Sequence, residues 1–254
     1  MKEKYINTKY GKVFLRIDNE KCKDRTLFML HGFGMDLSTY NSLVNKIKNI
    51  QIIRFDFLGF GKSSDPVKPI GVKEYSECLH EIINRYCTGN VYLFGHSFGG
   101  RVAIYYTSKY GSLGKRSISK MLLVNAKALK NKSFRLKVNI LLYKIKRNIL
   151  KIFNKNKYLE YIKNKGSRDY KMLNDVMKKS FVKVVNYDLR KHLKKVKCDT
   201  IIIGSINDSE VEYKETLCIN KYIKNSKLYP CYRSGHFSYI DEENKVLSIL
   251  KKEL

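Results

Sequence analysis

Apolar and polar positions alternate over residues 4–17, KYINTKYGKVFLRI, around Lys9-Tyr10-Gly11-Lys12, and this spacing predicts a β-hairpin. Beyond it the pattern changes. Thr26 to Leu30, Ile50 to Phe57, Val91 to Phe94, Lys120 to Ala126, Thr200 to Gly204 and Ser226 to Tyr232 are short apolar runs, as expected of strands buried on both faces. Helical periodicity fills the intervals at 38–48, 74–87, 101–110, 211–223 and 241–252, with Asp36 or Ser38 placed to cap the first helix. Strands alternating with helices predict an α/β fold: a mostly parallel eight-stranded sheet covered by helices, with the hairpin as its antiparallel edge.

The stretch 127–197 breaks this rhythm, showing long helical patterns and no convincing strand. It holds 23 Lys and Arg against 4 Asp and Glu, a net +19 of the chain's +28. Within it Val138, Leu141, Leu142, Ile145, Ile149, Ile152 and Phe153 recur at helical spacing, opposite Lys137, Lys144, Arg147 and Lys151. That predicts an amphipathic basic helix over about 134–153. Three readings of it stay open: an apolar face closed over a cavity with solvated lysines, peripheral contact with an anionic membrane, and an electrostatic funnel for acidic substrates. Nucleic acid is not an expected partner, because no recognition motif accompanies the charge. Part of the basicity needs no partner at all, since a chain rich in Lys, Asn, Ile and Tyr, with 3 Pro and no Trp, has the bias of AT-rich coding DNA.

At 254 residues the chain fits one α/β domain with an insertion. It has no apolar run of about 18 residues, and its first residues, MKEKYINTKYG, carry no hydrophobic segment, so a cytoplasmic protein is expected. The cysteines at 22, 78, 87, 198, 218 and 231 are scattered without a C-x-x-C pair. Neither disulfides nor a metal site nor another cofactor is expected.

The chemistry centres on Val91 to Gly100, VYLFGHSFGG, where Gly95-His96-Ser97-Phe98-Gly99 lies between a strand and a helix. Small residues two places either side of Ser97 leave room for a strained turn that lifts its hydroxyl clear of the sheet. By itself such a turn also suits a phosphate at the helix N-terminus. Other segments end strands in the same way. His31-Gly32-Phe33-Gly34-Met35-Asp36 follows the run 26–30, and Asp56, Gly59, Gly61 and Ser63 form D-x-x-G-x-G-x-S, which lacks the full spacing of a phosphate-binding P-loop. Ser205-Ile206-Asn207-Asp208 follows the run 200–204. Of five histidines, only His236, in Arg233-Ser234-Gly235-His236-Phe237, follows a late strand on a Ser-Gly turn.

Taken in order, these motifs resemble the α/β-hydrolase fold superfamily, in its serine hydrolase and esterase branch with a helical cap. The resemblance covers nearly all of the chain outside 127–197 and implies a core of 1–126 and 198–254 with 127–197 as the cap. It further implies Ser97 as nucleophile, His236 as base and Asp208 as the carboxylate that orients the base, in the Ser, Asp, His chain order of that superfamily. The backbone amides of Phe33 and Phe98 are the implied oxyanion-hole donors. Asp56 matches a loop-holding carboxylate better than a catalytic acid. The superfamily usually has glycine three residues before the acid, where this chain has Ser205 with Gly204 displaced by one, so Glu210 and Glu212 stay open as alternatives. The expected activity is hydrolysis of a small-molecule carboxylic ester or related acyl substrate through an acyl-enzyme. Ser97 argues against branches with Asp at the elbow, such as haloalkane dehalogenases and epoxide hydrolases. A membrane-surface lipase, a thioesterase, a carbon-carbon bond hydrolase and a ligand-binding protein on the same fold are the alternatives.

Overall fold

In the computed structural model, which describes residues 1–87, 89–111, 117–130 and 172–254, the predicted hairpin forms from β1 (Lys2–Thr8) and β2 (Gly11–Asp18). The six apolar runs become β3 (Arg25–Leu30), β4 (Gln51–Phe55), β5 (Asn90–His96), β6 (Ile118–Val124), β7 (Asp199–Ser205) and β8 (Ser226–Cys231). All eight make one sheet in the order β1-β2-β4-β3-β5-β6-β7-β8. β2 pairs antiparallel with β1 and with β4, and every pairing from β4 to β8 is parallel.

Alternate residues of each central strand face opposite sides, so each strand feeds two cores. Phe28, Leu30, Ile53, Leu93 and Leu123 pack with α2 (Val72–Tyr86) and α3 (Phe98–Tyr110) on one face. Leu27, Met29, Ile52, Phe94, Leu122 and Ile203 pack on the other, with α1 (Asn41–Lys46) and the closing helix. This two-sided burial explains why the runs read as continuous rather than alternating.

Three boundaries differ from the periodicity. The helix expected at 38–48 is a 3-10 turn (Leu37–Tyr40) followed by α1, and Asp36 caps it by accepting from the Ser38 amide at 2.8 Å. α3 begins at Phe98, directly after Ser97, instead of after Gly100. The closing helix is broken at Glu242, whose side chain is turned to the loop before it.

The predicted 134–153 helix lies outside the described residues. Both approaches to that stretch are described, together with α4 (Asp175–Asn186) and α5 (Arg190–Leu193). Arg101 of α3, 2% exposed, donates to the carbonyls of Leu129 at 3.0 Å and Tyr187 at 2.7 Å, bridging the two approaches. Glu215, on α6 (Tyr213–Tyr222), accepts from the amides of Ala128 at 2.6 Å and Leu129 at 2.7 Å. The closing segment forms α7 (Ser238–Asp241) and α8 (Glu243–Glu253). Among the described residues no helix is long and apolar enough to cross a membrane.

Candidate active site

Ser97 stands between β5 and α3 with φ 49° and ψ −109°. The other three non-glycine residues with positive φ among those described, Asn19, Asn49 and Asn125, are asparagines, which tolerate that region better than serine does. The strain is therefore local to the elbow and is held by its surroundings. Two glycines make room for it. A Cβ on Gly99 would fall 2.0 Å from the Leu30 carbonyl oxygen, and one on Gly95 would fall 2.8 Å from Gly100 Cα. The N-terminus of α3 is thereby pressed against the carboxyl end of β3, where the His31 loop begins.

That loop is fastened by His31, which is fully buried. Its Nε2 accepts from the Phe57 amide at 2.9 Å, so Nδ1 carries the proton and donates to the Gly32 carbonyl at 2.7 Å. The neutral imidazole is thus built in, and burial holds its pKa down to about 4. Phe33 follows, with its ring 5.6 Å from that of Phe98, 4.7 Å from Phe60 and 4.9 Å from Phe181. The two residues expected to supply oxyanion donors are neighbours. Asp56 accepts from the amides of Leu37 and Lys62, both at 2.7 Å, and so holds the loop after β4.

His31 makes the fold acid-labile. Between pH 6.5 and 4 the unfolded chain binds a proton at His31 that the folded chain does not, so stability falls as pH drops across that window, by about 3 kcal/mol at its lower end. His96, buried and next to His236, is held down to about 3 and extends the loss further. Imidazole NMR should show neither ring protonating above about pH 5, while urea midpoints decline over the same range. A His31 ring that titrates near its ordinary value would contradict this account of the loop.

At the far end of the sheet, the loops after β7 and β8 meet. His236 Nδ1 donates to Asp208 Oδ2 at 2.8 Å, and the side chains are 12% and 1% exposed. The same oxygen accepts from Asn125 Nδ2 at 2.8 Å, while Oδ1 accepts from the amides of Glu210 at 2.8 Å and Val211 at 2.9 Å. Burial alone would raise this carboxyl, but the donors from His236, Val211 and Asn125 outweigh it and hold it below the usual carboxylate range. Glu212 instead pairs with Lys214 at the surface. Ser205, standing where glycine is usual, donates its hydroxyl to the Ser234 carbonyl and so ties β7 to the turn that presents His236. His96, the residue before Ser97, packs its ring 4.7 Å from that of His236, which brings β5 and the His236 loop together at the serine.

Comparison with known proteins bears on the fold. A family model described as alpha/beta hydrolase fold matches residues 25–145. An esterase (EaEST) from Exiguobacterium antarcticum superposes with a TM-score of 0.72 at 21% identity, covering 95% of each chain. The chain has the α/β-hydrolase fold. Lipase 3 of Moraxella sp. (strain TA144) is 28% identical over 102 residues, which is 39% of this chain but only 32% of the lipase. Proline iminopeptidase of Lactobacillus crispatus (strain ST1) is 24% identical over 279 residues, covering 95% of this chain and 94% of its own.

Among the described residues of this α/β-hydrolase fold, no group of three or more His, Cys, Asp or Glu is placed to hold a metal ion. Sequence reasoning passed over Asn125. Its signal was a polar residue within LLVNA, at the carboxyl end of a buried strand where sites on such sheets gather.

Proposed function

We propose that the protein is a serine hydrolase that cleaves a small carboxylic ester or a related acyl substrate. The observation that carries this reading is the joint placement of a strained Ser97 at the head of α3 and of His236 locked by Nδ1 onto a buried carboxylate. With Nδ1 bonded to Asp208, the free Nε2 is the basic nitrogen. It takes the Ser97 proton as the oxygen attacks the acyl carbon, and Asp208 stabilises the imidazolium that results. The Phe33 and Phe98 amides are the proposed donors to the developing oxyanion, each worth roughly 3 kcal/mol. Collapse breaks the bond to the leaving group, which receives the proton from His236 Nε2. Water, deprotonated by the same nitrogen, then releases the acid. A peptide bond would pass through the same steps; the ester is favoured because an alkoxide leaves more readily than an amine.

The test is turnover of p-nitrophenyl esters of increasing acyl length, together with labelling by a fluorophosphonate. A burst of p-nitrophenol and a covalent adduct mapped to the peptide containing Ser97 are the expected results. A folded protein that neither turns over nor labels would favour the ligand-binding alternative.

A further inference from the structure

β6 ends at Val124 and the chain turns at Asn125, whose φ is 46° and whose side chain is 1% exposed. Its amide N–H is already engaged by the Ile203 carbonyl at 2.8 Å, so the side chain is the part left to act. Nδ2 donates to Asp208 Oδ2 at 2.8 Å, and Oδ1 accepts from Ser238 Oγ at 2.6 Å. A carboxylate can only accept, so the amide has one orientation. Ser238 is fully buried, with the Ser234 hydroxyl 3.1 Å away. Ser234 Oγ also lies 3.0 Å from Glu242 Oε1, which accepts in addition from the amides of Arg233 at 2.9 Å and Ser234 at 3.1 Å. A chain of hydrogen-bonding groups thus runs from Glu242 through Ser234 and Ser238 to Asn125 and Asp208.

We propose that Asn125 is a positioning residue for the His236–Asp208 pair, an assignment that rests on the serine hydrolase reading of the same site. The Asp208 carboxylate is free to turn about its Cβ–Cγ bond unless both oxygens are held. Oδ1 is fixed by two backbone amides from its own loop. Oδ2 has only side-chain partners, and one of them, His236, must itself be oriented. Asn125 supplies the fixed partner. It is anchored by its backbone bond to Ile203 at the end of β6 and by Ser238, and it occupies one lone pair of Oδ2 so that the other is aimed at His236 Nδ1. Buried and bonded to a charged acceptor, this contact belongs to the stronger class of hydrogen bonds.

Asn125→Asp tests the role, because it keeps the shape and the acceptor for Ser238 while removing the donor to Asp208. At pH 8 kcat for p-nitrophenyl esters is expected to fall about 10- to 100-fold with KM within about twofold, and Asn125→Leu is expected to do the same. The downfield proton resonance of His236 Nδ1–H should move or broaden in both variants. If Asn125 only filled space, Asn125→Asp would match the wild type in rate and resonance, and that result would overturn the proposal. Should neither variant fold, Ser238→Ala leaves Asn125 and its bond to Asp208 in place but removes the anchor at Oδ1. A loss of about three- to tenfold in kcat with a shifted resonance is then expected, and wild-type values for both would count against the role. Wild-type protein inert to esters and fluorophosphonate would defeat the hydrolase reading, while the resonance, which reports the resting protein, still decides the role of Asn125.

Discussion

Ser97→Ala is expected to lower kcat for p-nitrophenyl esters by about 10⁶-fold, to abolish fluorophosphonate labelling, and to leave the protein folded. The loss is large because nothing else in the site can form the acyl-enzyme: His236 then has no hydroxyl to deprotonate, and water has to attack the bound ester directly. What remains is the contribution of binding and of the oxyanion donors, about 10³- to 10⁴-fold over water. Stability tells the second half. Ser97 makes no side-chain capping bond to α3, and its φ of 49° costs energy that alanine, which also carries a Cβ, does not recover. Ser97→Gly removes that cost, so it should melt higher than Ser97→Ala by an amount corresponding to about 1 kcal/mol. Both are measured by ester turnover and thermal denaturation on the same samples. A Ser97→Ala protein that still labels would place the nucleophile elsewhere.

The fold was legible because its strands are apolar on both faces. Leu27 and Phe28, Ile52 and Ile53, and Leu122 and Leu123 are neighbours in sequence that enter opposite cores, and such runs between helical patterns leave few architectures open. The placement of Ser97 and His236 at strand ends was legible because it rests on local backbone features that sequence displays, a glycine-flanked turn before a helix and a Ser-Gly turn after a late strand. Asp208 was harder. Its marker glycine is replaced by Ser205, and the reason, a hydroxyl bond to the Ser234 carbonyl 29 residues away, exists only once β7 and β8 lie side by side. Asn125 was missed for the same physical reason, since its partners Asp208 and Ser238 come from the loop after β7 and from α7. The fastening of the 127–130 and 184–189 segments by Arg101 and Glu215 is likewise long-range. Local chemistry is written along the chain, whereas the partners that orient it are set by the sheet order.

Asp208→Asn is expected to lower kcat by about 10⁴-fold while the protein stays folded, and the hydrogen-bond inventory says why. Every group that meets this carboxylate is a donor: the amides of Glu210 and Val211 at Oδ1, and His236 Nδ1 and Asn125 Nδ2 at Oδ2. An asparagine amide offers one accepting atom and one donating atom. The two backbone amides cannot turn away, so the amide oxygen stays with them and the NH₂ group faces His236 and Asn125. His236 can satisfy that NH₂ only by accepting at Nδ1, which moves its own proton to Nε2. The nitrogen that should deprotonate Ser97 is then a donor. Asn125 is held by Ser238 and also points an NH₂ at the new NH₂, so a stability loss of about 1–3 kcal/mol should accompany the change. KM is expected to change little, because the altered atoms lie behind the imidazole. A variant within tenfold of wild type in kcat would mean that another carboxylate orients the base, and Glu210, two residues along the same loop, would be the first to replace.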